Sequence, residues 1–363
     1  MRMILAVYWF ALAPLLIAQQ STTTQTTQTA TAPKGPTSSA VVQTYSGRLN
    51  YSSREMQTRT TSAGREVVTQ AIEQQSADGR FRKVREATTE TVGIGSKSVQ
   101  STQTVYATDA DGRRILMQQT KGDQQELADG TTRTVQDILD ADLNGRLGLS
   151  QREVSDEKTI SRGVKQKDTS IYRPGLNEPL QEAERLRQTE RQVSADVLQT
   201  ESTRYVRAAN GQFQAVETRN NEVRKTGVTS TTEEETVNRV DGNGTLNPFA
   251  RNVTSRSSTK SQEQVVSESY AQSPSQPAGR LELKERTRIT TTTTSDGGHQ
   301  TVQELERVNP IPNGGLRVVE RVVETVRRVG PDQWQTERQL FQLDSNGRLV
   351  PTIADSGQST GKN

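Results

Sequence analysis

A glycine-centred turn recurs about every 33 residues and constrains the fold more than any other feature of the chain. These repeat turns are centred on Gly47, Gly79, Gly112, Gly145, Gly211, Gly244, Gly279, Gly314 and Gly347. Successive gaps are 32, 33, 33, 66, 33, 35, 35 and 33 residues, and the double gap has its missing member at Glu178, where LNEPL replaces NGxL. Such even spacing is the signature of a repeat protein.

The residues around each turn predict β-hairpins. Asn-Gly and Asp-Gly pairs favour two-residue type I′ turns, in which both central residues have positive φ. Apolar residues lie two residues after most turn glycines and six residues before several, as at Leu147 and Leu139, and we expect them to form cross-strand pairs. Arginine lies seven residues after the turn in six units, at Arg54, Arg152, Arg185, Arg251, Arg286 and Arg321. Turn candidates near the half-period are 62–64, 93–95, 121–123, 296–298 and 330–332.

Each repeat then consists of two strands of about 12 to 14 residues. The predicted fold is all-β, an antiparallel up-and-down meander of about ten hairpin repeats and up to twenty strands. Because large open sheets rarely stay flat, we expect the sheet to be coiled, layered or closed. Residues 177–193 contain good helix formers and i,i+4 charge pairs, but the repeat register predicts a strand there.

The chain ends predict export. Residues 1–18 read as a secretory signal, with Arg2 before an apolar stretch and cleavage after Ala18, although an uncleaved membrane anchor is the alternative. A disordered Thr/Gln/Pro-rich linker over 19–40, a repeat domain over 41–352 and a disordered tail over 353–363 complete the predicted organisation. We therefore expect a secreted, periplasmic or cell-surface protein.

Composition excludes several functional classes. Only 30% of residues are hydrophobic and 4% aromatic, which is too few for a large conventional core. The 46 basic and 43 acidic residues nearly cancel and are evenly spread, so nucleic acid is not an expected partner. The absence of cysteine excludes disulfides and thiolate metal sites. His299 is the only histidine, which makes His-based triads and multi-His metal sites improbable.

One turn resembles the start of a calcium-binding loop. Asp140, Asp142 and Asn144 occupy positions 1, 3 and 5 of an EF-hand pattern, with Gly145 at position 6. Position 12 is Gln151, however, and not the bidentate glutamate that such a loop needs. Similar Asp/Asn turns recur in the repeat register, where tight turns select these residues for backbone reasons. We predict no cofactor, with calcium at this loop as the best ligand alternative.

These features predict a non-enzymatic, secreted or envelope-associated repeat protein whose extended polar β-sheet serves structural or binding roles. Its expected partner is a protein or polysaccharide of the cell surface, and no transmembrane helix is expected in the mature chain. One alternative is a carboxylate-based hydrolase with a cleft near 160–195, in which Glu178, Glu182 and Glu184 are the candidate carboxylates. The other is an outer-membrane β-barrel, disfavoured by a single tryptophan after the signal and by charges on both strand faces.

Overall fold

The computed structural model describes residues 38–44, 53–62, 64–75, 81–94, 97–109, 111–175, 178–272, 280–295, 297–308, 315–330, 333–344 and 346–360. The predicted signal segment over 1–18 and the linker up to residue 37 lie outside the described residues.

Twenty strands form one sheet. They are β1 (Ser38–Thr44), β2 (Ser53–Ser62), β3 (Arg65–Gln75), β4 (Phe81–Ile94), β5 (Ser98–Thr108), β6 (Arg114–Glu126), β7 (Thr132–Ala141), β8 (Leu147–Ser161), β9 (Val164–Gly175), β10 (Glu178–Ser194), β11 (Val197–Arg207), β12 (Phe213–Gly227), β13 (Ser230–Val240), β14 (Leu246–Ser258), β15 (Gln262–Gln272), β16 (Leu281–Thr293), β17 (His299–Val308), β18 (Leu316–Gly330), β19 (Gln333–Leu343) and β20 (Leu349–Thr360).

Each strand pairs antiparallel with its neighbours in the chain, and β1 and β20 each have one neighbour, so the sheet is an open up-and-down meander. This confirms the predicted all-β hairpin repeat and excludes the closed arrangement. The segment with helix-forming composition is strand β10, as the repeat register predicts. The outermost strands begin at Ser38 and end at Thr360, beyond the boundaries of 41 and 352 expected from the sequence.

The repeat turns at Gly112, Gly145, Gly211, Gly244 and Gly347 are three-residue loops, so the expectation of two-residue type I′ turns is wrong there. In the β7–β8 hairpin, the Gly145 amide donates to the Asp142 carbonyl and the Asp142 amide donates to the Arg146 carbonyl, both at 2.9 Å. This pattern is a type I turn followed by a left-handed residue, and Gly145 fills that last position with a φ of 75°. The same bonds and positive φ recur at Gly112, Gly211, Gly244 and Gly347.

The loop geometry also corrects the expected cross-strand pairs. Leu139 pairs with Leu149, and Leu147 pairs with Ala141, so Leu139 and Leu147 are diagonal neighbours and not direct partners. The reason is that the three-residue loop is centred on the residue before the glycine. At these five loops, the residue six positions before the glycine therefore meets the residue four positions after it.

A β-bulge recurs in every even-numbered strand from β4 to β20. One extra residue lies five positions after each repeat-turn position, at Val84, Met117, Ser150, Ala183, Val216, Phe249, Lys284, Val319 and Thr352. A bulge reverses the alternation of side chains along a strand. It therefore places the side chains four and seven residues after the turn glycine on the same face, whereas strict alternation along the strand would place them on opposite faces.

One predicted half-period turn is wrong. Gly122 lies inside β6, paired with Ser101 on β5 and Gln136 on β7, and the ladder continues on both sides of it. The turn lies instead at residues 127–130, where the Gly130 amide donates to the Leu127 carbonyl and Gly130 has a φ of 80°. The other half-period candidates lie at or beside strand ends that are joined by short connections.

The two faces of the sheet differ in burial. The valine face is the side on which directly opposed residues include Val265, Ile289, Val322 and Leu340, all at most 8% exposed. The opposite side carries Arg152, Arg185, Arg251 and Arg321, and we name it the arginine face. Within the described residues, no helix combines the length and apolar character needed to cross a membrane.

Candidate functional site

The repeat assembles a row of arginine and aromatic side chains on the arginine face. In four repeats, the arginine seven residues after the repeat turn lies directly opposite the aromatic residue that precedes the next repeat turn, whereas Arg54 lies opposite Glu73 and Arg286 opposite Glu306. This arginine–aromatic row contains the pairs Arg152–Tyr172, Arg185–Tyr205, Arg251–Tyr270 and Arg321–Phe341. Both halves of the pattern are visible in the sequence, but only the strand pairing shows that they meet.

Carboxylates hold the arginines of the row. Arg152 donates from Nε and Nη2 to both oxygens of Asp137, at 2.6 and 2.8 Å. Arg185 binds both oxygens of Glu182 in the same way, at 2.8 and 2.7 Å. Glu182 lies four and Arg185 seven residues after the turn position, so the bulge at Ala183 is what brings them to one face. Planar bidentate pairs of this kind fix the guanidinium orientation.

The remaining arginines follow the same rule. Arg251 donates to Glu234 at 2.7 Å and Arg321 to Glu304 at 2.9 Å, and Arg286, which lies outside the row, donates to Glu268 at 2.8 Å. The hydrogen bond from Arg152 holds the pKa of the Asp137 carboxyl below its usual value, and Arg185 does the same for Glu182. The row is therefore a series of neutralised ion pairs rather than a field of free positive charge.

One aromatic ring of the row, that of Tyr270, is partly covered by a guanidinium group. The Arg251 guanidinium lies 5.4 Å from the centre of the Tyr270 ring. The Tyr270 hydroxyl donates to Glu268 at 2.6 Å, and this bond is the largest cause of the lowered pKa of Glu268. Two rings outside the row are also stacked: Phe213 lies under Arg185 of the row, and Tyr106 lies under Arg114, both at 4.0 Å. Rings, guanidinium planes and carboxylates thus form a continuous, half-exposed polar surface.

The valine face carries buried ion pairs near the bulges. Glu217 is 6% exposed and accepts hydrogen bonds from Arg219 at 2.7 Å and from Arg239 at 2.8 Å. Burial alone would raise the pKa of Glu217, but the two arginines together lower it. Glu184, 7% exposed, is held in the same manner by Arg173 at 2.8 Å and Arg204 at 3.3 Å. Buried charges of this kind are expected to be paired.

Glu153 is the one described carboxyl whose pKa is raised. It lies opposite Ile171, which in turn lies opposite Glu184 on the next strand. Burial raises the pKa of Glu153, which is 7% exposed and accepts a hydrogen bond from Gln151. In acid–base catalysis, a buried carboxyl with a raised pKa works together with a second carboxyl nearby. Here, however, Glu184 is already bound by two arginines, so the arrangement is that of a structural ion-pair network.

The carboxylates considered for a hydrolase are not brought together. Glu182 pairs with Tyr172 on the arginine face, whereas Glu184 pairs with Ile171 on the valine face. The bulge at Ala183 causes this separation, because Glu182 and Glu184 are two positions apart and would lie on the same face of a regular strand. Glu178 is the first residue of β10, and its side chain lies outside the described set. Around this bulge, the β9–β10 hairpin continues the sheet ladder.

The candidate calcium ligands take part in turn and strand hydrogen bonds. The Asp142 Oδ1 atom accepts from the amides of Asn144 and Arg146, both at 2.8 Å. Asp140 lies on β7, and its Oδ1 atom accepts from Gln118 Nε2 at 2.8 Å. Two amide bonds to one carboxylate oxygen recur at Asp109, Asp241 and Asp344. Calcium binding at Asp140, Asp142 and Asn144 stays a prediction.

Across the parts of the chain that the structure describes, no cluster of three or more His, Asp or Glu side chains is arranged to hold a metal ion. His299 begins β17 and pairs with Thr293 and Val326 in the ladder. No protein family model matches the chain, and no curated protein matches it. The functional argument therefore depends on the geometry of the sheet.

Proposed function

We propose that the chain is a non-enzymatic, secreted or envelope-associated repeat protein that presents its arginine face to a protein or polysaccharide of the cell surface. The observation that carries this proposal is the arginine–aromatic row, in which the repeat places equivalent planar groups at regular intervals. The pairs Arg152–Tyr172 and Arg185–Tyr205 lie in adjacent repeats, two strands or about 9.6 Å apart, and the other successive pairs are four strands or about 19 Å apart. Such periodic surfaces are what repeat proteins use to bind extended partners.

The bonding of the row favours contact recognition over charge attraction. Between 41% and 52% of the side-chain surface is exposed at Arg152, Arg185, Arg251 and Arg321. A carboxylate neutralises the charge of each of these arginines. Exposed, oriented planar groups can stack on sugar rings or on a partner's side chains without a net electrostatic field. The formal net charge of +3 on the whole chain agrees with such a weakly steered surface.

A structural role is the complementary part of the proposal. Twenty strands at about 4.8 Å each give a sheet on the order of 95 Å across. Cross-strand ion pairs and threonine pairs, such as Thr291 with Thr301 at 3.1 Å, reinforce neighbouring strands on a face that has no large apolar core. Each such pair contributes roughly 0.2–1 kcal/mol, so the sheet is stabilised by many small and equivalent contacts.

The test uses the full chain, fluorescently labelled, and whole cells of its source together with a panel of purified cell-surface polysaccharides. The binding variant is Tyr172→Ala, Tyr205→Ala and Tyr270→Ala combined, which removes three rings from the row. The control combines Lys165→Ala, Ser202→Ala and Ser269→Ala, which change the valine face of the same three strands.

We expect the tyrosine variant to lose about tenfold in affinity, equivalent to about 1.4 kcal/mol, while the control binds as the original chain does. Binding should change little between about 0.05 and 0.5 M salt, because the arginines are already neutralised. Protease treatment of the cells separates a protein partner from a polysaccharide. Equal loss in both triple variants, or no binding to cells or polysaccharides, would contradict the proposal.

A further inference from the structure

The two edges of the sheet are built to continue the repeat. The array begins with an odd-numbered strand, β1, and ends with an even-numbered strand, β20. Within the array, an even strand is always followed by an odd strand that runs antiparallel to it. A β1 strand placed beside β20 would therefore occupy the position that the next repeat would supply. In the described residues, β1 pairs only with β2 and β20 only with β19.

Charge is almost absent from the edges. β1 (SSAVVQT) contains no charged residue, and β20 (LVPTIADSGQST) contains only Asp355. Among the strands between them, all but β5 carry at least two charged residues. Soluble sheet proteins usually place charges on exposed edges, because an uncharged edge offers free backbone groups to another strand. This chain has the reverse distribution.

We propose that copies of this chain join edge to edge, with β20 of one copy pairing antiparallel to β1 of the next. The partner is thus a second copy of the same chain. Because the two surfaces are different, the contact is head-to-tail and leaves a free edge at each end, so it generates an open linear assembly unless the rotation between copies closes a ring. The proposal concerns the edges alone and goes beyond the binding role of the arginine face.

The repeat also predicts the register of the junction. Inside the sheet, the residue seven positions after one repeat turn pairs with the residue six positions before the next, as Arg321 does with Phe341, except in the two 35-residue repeats, where the partner lies nine or eight positions before the next turn. Counting from Gly347 and Gly47, the equivalent residues are Ala354 and Val41. The same register places Ile353 opposite Val42. This register therefore places the most apolar residues of β20 opposite those of β1. The register follows from the spacing of the repeat alone, which does not depend on side-chain polarity.

Proline in β20 is compatible with this junction. Pro351 lies four residues after its repeat-turn glycine, the position that Pro248 occupies in the interior strand β14. The ladder between β14 and β15 begins at Ala250, beyond Pro248, so the missing amide is not needed for pairing. In the proposed register, the equivalent ladder begins at Ile353.

The first test is disulfide trapping, which is clean because the chain has no cysteine of its own. Val42→Cys and Ile353→Cys are prepared as separate full-length variants, mixed, and oxidised with glutathione disulfide. We expect a covalent dimer only in the mixture. Ala40→Cys mixed with Ile353→Cys is the matched control. Its residues are two positions out of register and too far apart for a disulfide, so about tenfold less dimer should form.

The second test examines assembly by sedimentation velocity. Val41→Lys and Ala354→Glu should each abolish the concentration-dependent assembly of the full chain, and the double variant should restore it, because the two charges face each other in the proposed register. Val228→Lys and Ala209→Glu are controls of equal charge at exposed turns and should assemble normally. Far-UV circular dichroism checks that each variant is folded.

Three results would overturn the proposal. One is an original chain that remains monomeric at all concentrations. Another is a folded cysteine pair that gives no dimer in the mixture, or Ile353→Cys dimers that form without the partner variant. The last is an unchanged assembly in both single charge variants.

Discussion

Replacing the glycine of a repeat turn should be costly because of its backbone conformation alone. Gly145 has a φ of 75°, and a β-carbon added there would meet no atom within 4 Å. Gly148, three residues later in the same hairpin, also has open space around it but no positive φ. Gly145→Ala and Gly148→Ala therefore differ in backbone strain and not in packing.

The expected magnitudes follow from this difference. An L-residue in the left-handed region loses roughly 1–2 kcal/mol relative to glycine. Either alanine also stabilises the protein by about 0.4–1 kcal/mol, because the unfolded chain loses conformational freedom. Gly148→Ala should then be slightly stabilising and Gly145→Ala destabilising by about 1 kcal/mol. The difference between the two variants isolates the left-handed penalty of about 1–2 kcal/mol.

Native-state hydrogen exchange is the suitable assay, because repeat arrays need not unfold in a single step. The amide of Asp142, which donates to the Arg146 carbonyl across the loop, reports on opening of this hairpin. Its exchange should be faster in Gly145→Ala by about five- to thirtyfold than in Gly148→Ala, the factor that corresponds to 1–2 kcal/mol. Equal exchange in the two variants would refute the assignment of the three-residue loop.

Three further outcomes are expected. Glu217→Gln should lower the free energy of unfolding at neutral pH by about 1–2 kcal/mol. This value is at the lower end of the range for charged hydrogen bonds, because Arg219 and Arg239 are both half-exposed. Since the folded pKa of Glu217 is lowered, this loss should shrink as the pH falls below its ordinary value of 4.5, and urea midpoints at neutral and acid pH check it. Glu153→Gln should raise the urea midpoint at neutral pH, because the raised folded pKa makes the ionised form destabilising, and the gain should vanish below pH 4.5. If Asp142 serves the turn alone, added calcium or a chelator should leave the melting temperature unchanged, and a calcium-dependent rise that Asp142→Ala removes would establish the metal site.

The number and order of the strands could be predicted because the residues of each turn specify locally that the chain reverses. Glycine at a left-handed position, preceded by Asp or Asn, specifies a chain reversal wherever it occurs, so spacing alone predicted the number and order of strands. The strand β10 was recognised despite its helix-forming composition, because the repeat register passes through it. The turn predicted at 121–123 was wrong. These residues resemble a turn, but Gly122 lies within β6, and the strand pairing continues on both sides of it.

The arginine–aromatic row could be predicted only in part from the sequence, for a different reason. Arg152 and Tyr172 can be recognised in the sequence as residue types. That they lie opposite each other depends on the pairing of two strands, because the two residues are 20 positions apart in the chain. Likewise, Glu153 and Glu184 lie on the same face, one on each side of Ile171, because β9 pairs with both of their strands. Neither contact is encoded in a local pattern.

The sequence by itself determined where the chain turns and how many strands it forms, since a turn residue acts through its own backbone conformation. The tertiary structure alone decided which face each side chain occupies. That face depends on the bulge five residues after each repeat turn, as at Ala183, and a bulge exists only relative to the strand it is paired with. The arginine–aromatic row and the buried carboxylates therefore follow from pairing and not from composition.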